Sequence, residues 1–243
     1  MAAASHKQPL RYTFQRVHPA LQTGHALTVQ QQRQAPVPCF MQQSTLDGAC
    51  GTHVLASVLV IFNVAKASAM HDMSRRKSGV AAAVWKAFAP TYFVGVHPKD
   101  WVALIQSLSL PLELNAKYGY QNQADHYAVD WLMRGHLVAL AFASVENQRT
   151  KHWALAVGVE GTVTGQKHQA QRILLLDPSA GEPVFRAFNA RLSLPMSGPG
   201  SRRAKSLQQD KPTHKVVFWL YESESWTPEL VRLLAAVRVR RTT

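Results

Sequence analysis

The apolar residues of this chain change their spacing part-way along its 243 residues, and this change constrains the fold most strongly. Before residue 136, segments with helical spacing lie at 50–69, 80–89, 99–107 and 128–133. After it, nearly continuous apolar runs of strand length lie at 137–142, 153–159, 172–177 and 216–221. Helices followed by strands, joined mostly by short loops, predict an α+β domain with an antiparallel sheet.

The segments around these elements complete the predicted organisation. Residues 1–36 contain no Asp or Glu and several basic residues, which predicts a basic, partly disordered leader. Residues 37–226 form the main predicted domain, in which the Pro-, Gly- and Ser-rich stretch 195–213 predicts a mobile loop. Residues 227–243 predict a C-terminal helix, with Thr227 as its N-cap, and a basic tail.

The composition excludes several classes of protein. No apolar run reaches about 18 residues, so no transmembrane segment is expected. The N-terminus lacks a secretory pattern, which predicts a cytoplasmic protein or one exported without a cleavable signal peptide. Two cysteines make neither a disulfide framework nor a zinc site. Phosphate-loop and dinucleotide-binding glycine patterns are absent, and the histidines have no metal-ligand spacing, so no cofactor and no metal are expected.

The formal net charge of +13 predicts contact with an acidic partner. A nucleic acid, an anionic membrane surface and an acidic protein all fit this charge, and the basic tails are the expected contact region. A solvated basic surface explains the same charge without any partner.

Cys50 lies where a polar, Gly-containing loop meets a long apolar segment. A helix that starts at about Cys50 places the thiol in its first turn. The unpaired N–H groups and the positive end of the helix dipole then favour thiolate over thiol. A thiolate attacks carbonyl carbons, so Cys50 is a candidate catalytic nucleophile.

A cysteine nucleophile needs a base, a group that orients the base, and donors for the oxyanion. His152 begins an apolar strand and is the candidate base. Asp177 ends another apolar run; if the two strands are neighbours, its carboxylate orients the imidazole. Gln43, seven residues before Cys50, is the candidate oxyanion donor, with the adjacent Gln42 as the alternative.

These blocks resemble the papain-like cysteine peptidases, and most closely the bacteriocin-processing peptidases that remove double-glycine leaders. The resemblance covers about 37–188 and is carried, in order, by 43–51, 132–140, 152–158 and 176–178. It implies a helical part, with the catalytic Cys at a helix start, packed on an antiparallel sheet that carries His and Asp. It also implies that Cys50 is the nucleophile, His152 the base, Asp177 its orienting residue and Gln43 the oxyanion donor.

The resemblance implies a peptide or protein substrate, but it does not extend to one particular substrate. The Gln-to-Cys spacing is one residue longer than usual in that family, and 161–171 forms a long polar insertion. No transporter segments follow, so a stand-alone enzyme is expected.

Two other functions fit the same residues. Acyl transfer and amidase chemistry also use Cys, His and Asp in this order. Alternatively, a degenerate peptidase core presents its basic surface to nucleic acid or an acidic partner, through 75–77, 202–205 and 238–241. No aromatic residues interleave with these basic runs, which disfavours nucleic-acid binding.

Overall fold

The computed structural model describes residues 11–30, 35–44, 47–147, 151–195 and 216–242. Most helices come from the first half of the described chain, and the long strands come from the second. The α-helices of these residues are α1 (Cys50–Ile61), α2 (Ala67–His71), α3 (Gly79–Phe88), α4 (Pro98–Ser107) and α5 (Ala124–Met133). The strands are β1 (Arg11–Val17), β2 (Leu21–Gln22), β3 (Thr28–Val29), β4 (Val37–Pro38), β5 (Leu112–Tyr118), β6 (Leu137–Ser144), β7 (Lys151–Thr164), β8 (Lys167–Leu176), β9 (Ala190–Ser193), β10 (Trp219–Ser223) and β11 (Glu229–Arg241).

Six strands form a closed antiparallel barrel. Their order is β7-β6-β11-β10-β9-β8, and β8 pairs again with β7 to complete the circle. Two more strands add to the barrel. The strand β1 pairs with the part of β7 that follows its pairing with β6, and β5 pairs with the C-terminal half of β11. The short strands β2, β3 and β4 make a separate sheet.

The predicted α+β architecture, a helical part packed on an open antiparallel sheet, is therefore wrong. Closure depends on β11, which lies between β6 and β10. The predicted C-terminal helix covers this same segment and is wrong as well. Val231, Leu233, Val237 and Val239 are buried, and an exposed or half-buried residue separates Val231 from Leu233 and Val237 from Val239, which is the period-two pattern of a strand. The alternation is interrupted at Ala235 and Ala236, which are both buried, next to the register shift in the pairing with β6.

The prediction of a partly disordered leader is wrong for 11–17. This segment is β1, and its seven residues pair in register with Gly158–Thr164 of β7. Polar residues occupy its exposed positions because β1 covers only the end of the barrel. Residues 1–10 and 31–34 of the predicted leader, and 196–213 of the predicted loop, lie outside the described residues.

Two apolar cores meet at the barrel wall. Leu137, Ala139 and Ala141 of β6 face the core that contains α1 and α4, while Val138 and Leu140 face the second core inside the barrel. Both faces of β6 are thus buried, which explains its uninterrupted apolar sequence. The helix α1 packs against β7, and α5 packs against β11, β7 and β6. None of the described helices is long and apolar enough to cross a membrane.

Candidate active site

Cys50 is the first residue of α1, and the loop before it is held by Asp47. One carboxylate oxygen of Asp47 accepts the backbone N–H of Ala49 at 3.0 Å, and the other accepts the N–H of Ser44 at 2.9 Å. The Tyr92 hydroxyl donates to the second oxygen at 3.2 Å. These bonds fix the chain just before the nucleophile. Because Cys50 starts the helix, its own N–H has no carbonyl four residues earlier within the helix to bond.

Gly51 lets the start of α1 approach two tryptophans. A Cβ on Gly51 would lie 2.7 Å from Val96 Cγ1 and 3.1 Å from Trp101 Cδ1, closer than normal packing permits. The Trp101 indole donates to the Gly51 carbonyl at 2.8 Å and stacks on Trp153, with ring centroids 4.8 Å apart. Trp153 follows His152 in β7, so this stack links the helix of Cys50 to the strand of His152.

His152 lies between the thiol and the carboxylate. Its Nε2 is 2.7 Å from Asp177 Oδ1, and Cys50 is close enough to its ring to raise the pKa of His152. The Cys50 thiol donates to the Gly48 carbonyl, with Sγ 3.9 Å from the oxygen. Since Nε2 bonds Asp177, Nδ1 is the nitrogen left for the thiol. The ring packs edge-on against Phe142, its cross-strand neighbour in β6. The sequence placed Asp177 beside His152 only if their two strands were neighbours. The strands β7 and β8 do pair, and Leu155 lies opposite Leu176.

Asp177 is completely buried, yet both carboxylate oxygens have donors. Oδ1 accepts the Ser179 hydroxyl at 2.6 Å and the Ser179 N–H at 2.8 Å, in addition to His152. Oδ2 accepts the Tyr221 hydroxyl at 2.6 Å. The backbone of Asp177 is held by Asn189, whose side-chain oxygen accepts the Asp177 N–H at 2.7 Å and whose amide donates to the Asp177 carbonyl at 2.9 Å.

These contacts favour an imidazolium–carboxylate pair. Burial by itself lowers the pKa of His152, but the Asp177 charge and hydrogen bond, together with Cys50, raise that pKa above its ordinary value. Burial by itself raises the pKa of Asp177, but His152, Ser179 and Tyr221 lower it. The two shifts agree, because each charged group stabilises the other.

Gln43 lies next to the chain that follows Asp177. Its backbone N–H donates to the Pro178 carbonyl at 2.9 Å, and its Oε1 is buried without a hydrogen-bond partner among the described residues. The adjacent Gln42 is exposed and faces a separate cavity. The packing of Gln43 against the Asp177 segment makes it the better candidate donor of the two glutamines.

Three further residues contribute to the site and were not assigned from the sequence: Ser179, Asn189 and Tyr221. Ser179 had a detectable signal, because Asp-Pro-Ser is a turn sequence in which the Asp side chain bonds the N–H two residues later. Tyr221 and Asn189 gave no such signal. They reach Asp177 from 44 and 12 residues away through the pairing of β8, β9 and β10.

The other cysteine is chemically different from Cys50. Cys39 is free and fully buried, and burial raises its pKa to about 12. It therefore remains a thiol near neutral pH. Within the described ranges, no three His, Cys, Asp or Glu side chains are grouped so that they could hold a metal ion. No family model matches the sequence, and no curated protein is significantly similar to it.

Proposed function

We propose that this protein is a cysteine peptidase that hydrolyses a peptide or isopeptide bond through an acyl-enzyme intermediate. The observation that carries the proposal is the position of His152, whose Nε2 lies 2.7 Å from the buried carboxylate of Asp177 and whose pKa is raised by the neighbouring Cys50 as well as by Asp177. A thiol, a base and an orienting acid in contact are the groups that nucleophilic acyl chemistry requires.

In the first half-reaction, the Cys50 thiolate attacks the carbonyl carbon of the scissile bond, and the carbonyl oxygen becomes an oxyanion. The Cys50 backbone N–H and the Gln43 side-chain amide are the proposed donors to that oxyanion. The His152 imidazolium then gives its proton to the leaving nitrogen. The carbon–nitrogen bond breaks, the amine departs, and a thioester with Cys50 remains.

In the second half-reaction, the neutral imidazole takes a proton from water while the water oxygen attacks the thioester carbon. The tetrahedral intermediate collapses, and Sγ leaves with its electron pair as the carboxylic acid product is released. Cys50 is again a thiolate and His152 is again an imidazolium. Asp177 stays ionised throughout and stabilises the imidazolium in both halves.

The first test measures alkylation of Cys50 by iodoacetamide against pH, with peptide mapping by mass spectrometry. The wild-type protein is expected to react well below pH 8, and His152→Ala is expected to lose this low-pH reaction. His126→Ala is the matched control, because this histidine is exposed and lies on α5. Cys39 serves as an internal unreactive thiol.

The second test measures turnover of a library of internally quenched peptides by wild type and Cys50→Ala. Cleavage by wild type alone supports the proposal. Turnover by Cys50→Ala would refute the mechanism, and products joined to an added amine would indicate acyl transfer. If wild type and His152→Ala both react only as pH approaches about 8.5, the range of an ordinary thiol, the site is not catalytic. Binding through the basic surface then becomes the function to test.

A further inference from the structure

Basic side chains gather on one face of the sheet formed by β5, β11 and β6. Lys117 lies opposite Ala236, and Arg238 and Arg240 follow Ala236 at two-residue steps along β11. Because cross-strand partners and residues two apart point to the same side of a sheet, these three cations share one face. The helix α5 packs on β11 and ends at Arg134, whose side chain is 67% exposed. We call Lys117, Arg134, Arg238 and Arg240 together the basic face.

Aromatic rings of α5 lie between these cations. The Lys117 ammonium is 4.5 Å from the centre of the Tyr127 ring, and the Arg238 guanidinium is 5.7 Å from the centre of the Trp131 ring. The two rings are neighbours, with centroids 5.5 Å apart. Trp131 is buried, whereas Tyr127 is only half-buried and is the ring that a ligand can reach. No aromatic residue interrupts the basic run 238–241 in the sequence, but rings and cations alternate in space.

The positive charge of the basic face is only partly neutralised. Glu113 accepts a hydrogen bond from Arg238 at 2.6 Å and lies 4.0 Å from Arg240. Asp130 pairs with Arg134 at 3.0 Å. Among these described contacts, four cations therefore share two carboxylates.

His136, just before β6, responds to this excess of positive charge. Burial, the largest effect, lowers the pKa of His136. The charges of Arg238, Arg240 and Arg134 lower it further, and the opposing effect of Asp130 is the weakest. Cations that disfavour protonation of a neighbouring base create a positive potential, and such a potential attracts a polyanion.

The basic face is separate from the groups proposed to react. Arg238 lies opposite Val138 near the start of β6, whereas His152 lies opposite Phe142 near its end. Four residues of strand separate these two positions by about 13 Å. Binding at the basic face is therefore measurable independently of the chemistry of Cys50.

We propose that the basic face binds single-stranded nucleic acid, with its arginines on the phosphates and one base stacked on Tyr127. The planar guanidinium of arginine donates two parallel hydrogen bonds to a phosphate. An aromatic ring beside such cations stacks on an unpaired base, whatever its identity. The inference does not depend on the proposed peptidase function.

The composition of this surface favours nucleic acid over the other acidic partners. Among the described residues of α5, β5, β6 and β11, the exposed large apolar side chain is Leu230, at the far end of β11. A membrane-surface site inserts several such side chains into the lipid. An acidic peptide pairs with the arginines but has no flat group that stacks on Tyr127.

The test measures the fluorescence anisotropy of a labelled single strand of about 20 nucleotides and mixed sequence, bound by the full chain between about 50 and 200 mM salt. Arg134→Gln/Arg240→Gln removes two exposed cations. This double variant is expected to weaken binding about tenfold or more at the lower salt concentration. It should also reduce the slope of log K against log salt by about 1.4, because each lost phosphate contact on a single strand removes about 0.7.

Arg76→Gln/Arg186→Gln is the matched control, because it removes the same charge from other parts of the described chain. Arg76 pairs with a carboxylate four residues earlier, as Arg134 does. Arg186 is 52% exposed and pairs with one carboxylate, and Arg240 is 49% exposed and pairs with one. The control should bind within about twofold of wild type, because salt screens distant surface charges.

The stacked base is tested at Tyr127. Tyr127→Leu keeps an apolar side chain but removes the ring, and it is expected to weaken binding about fivefold or more. Tyr127→Phe keeps the ring and should bind like wild type. Tyr12→Leu is the matched control, because the Tyr12 side chain is 60% exposed and lies on β1. The arginine variants test the inference on their own, since both substituted side chains are exposed.

The outcomes separate this inference from the proposed function. Absence of binding to the single strand, or equal binding by the two arginine double variants, overturns the inference. Unchanged binding by Tyr127→Leu also overturns it, as does equally tight binding of a duplex, of phosphatidylserine vesicles or of polyglutamate. Iodoacetamide alkylation of Cys50 that does not depend on His152 refutes the peptidase proposal and leaves this inference in place.

Discussion

The Tyr221 hydroxyl is the most informative group to remove, because it is the donor to the second carboxylate oxygen of Asp177. Tyr221→Phe deletes the donor 2.6 Å from Asp177 Oδ2 and keeps the ring that packs against Phe142, with centroids 5.4 Å apart. A hydrogen bond to a charged group contributes about 1.5–3 kcal/mol. Because Asp177 is completely buried, we expect Tyr221→Phe to lower the free energy of unfolding at pH 7 by about that amount.

The same substitution should raise the pKa of Asp177. The lost hydrogen bond stabilises the ionised carboxylate, so its removal favours the protonated form. The Asp177 pKa is lowered in the folded protein, so its contribution to stability is present above the unfolded value of about 3.9 and is lost as pH falls through the folded value. The stability difference between wild type and variant should therefore be full at pH 7 and shrink towards strongly acidic pH.

The assay is urea unfolding of wild type and Tyr221→Phe between pH 3 and 8, together with the pH profile of Cys50 alkylation. Tyr12→Phe is the matched control, since its side chain is 60% exposed, and it should change neither measurement. Two results together would refute the reasoning that Tyr221 stabilises the charged Asp177. The free energy of unfolding of Tyr221→Phe would lie within about 0.5 kcal/mol of wild type at pH 7, and the rate of Cys50 alkylation would fall at the same acidic pH in both proteins.

Three further predictions follow from the site. Gly51→Ala should lower the free energy of unfolding by about 1–3 kcal/mol in urea titrations, because its Cβ meets Val96 and Trp101; unchanged stability would contradict this packing. Asn189→Ala should cost about 1–3 kcal/mol in the same assay and slow Cys50 alkylation, because it leaves the Asp177 backbone unpaired; unchanged alkylation would count against a positioning role. The His152 pKa is raised, so its stabilising effect is full below about pH 6.5 and falls as pH rises through the folded value. The difference in free energy of unfolding between wild type and His152→Ala, measured by urea titration, should therefore become smaller at alkaline pH. A difference that grows with pH would contradict the ion pair.

Local sequence patterns were sufficient to place much of the structure. The polar-to-apolar junction at Cys50 predicted the start of α1, and the apolar runs predicted β6, β7 and β8. The predicted first helix is too long: α1 ends at Ile61, and Asn63 adopts a positive φ of 55° that interrupts the helical path.

Closure of the barrel was not predictable from the same patterns. The segment that became β11 contains Leu230, Leu233, Leu234 and several Arg residues, which also suit a helix, and a preceding Thr-Pro resembles a helix start. Its strand state is stabilised by pairing with the preceding strand β10 and with β6 and β5, which are far away in sequence. The register shift between Leu233 and Ala235 further obscures the period-two pattern. Tertiary pairing therefore overrode local propensity here.

The wrong prediction for β11 and the missed roles of Tyr221 and Asn189 both reflect pairing between strands, which local sequence patterns do not show. Tyr221 reaches Asp177 because β10 pairs with β9, which in turn pairs with β8, so the donor to Asp177 Oδ2 depends on strand pairing that local sequence does not reveal. Asn189, just before β9, reaches Asp177 because β9 pairs with β8. The pair His152 and Asp177 was predictable because β7 and β8 are adjacent in sequence and in space. Ser179 is also local, since it lies two residues after Asp177. Tyr221, the donor to Asp177 Oδ2, was not predictable, because it comes from a strand 44 residues away that only the pairing of β8, β9 and β10 brings to the site.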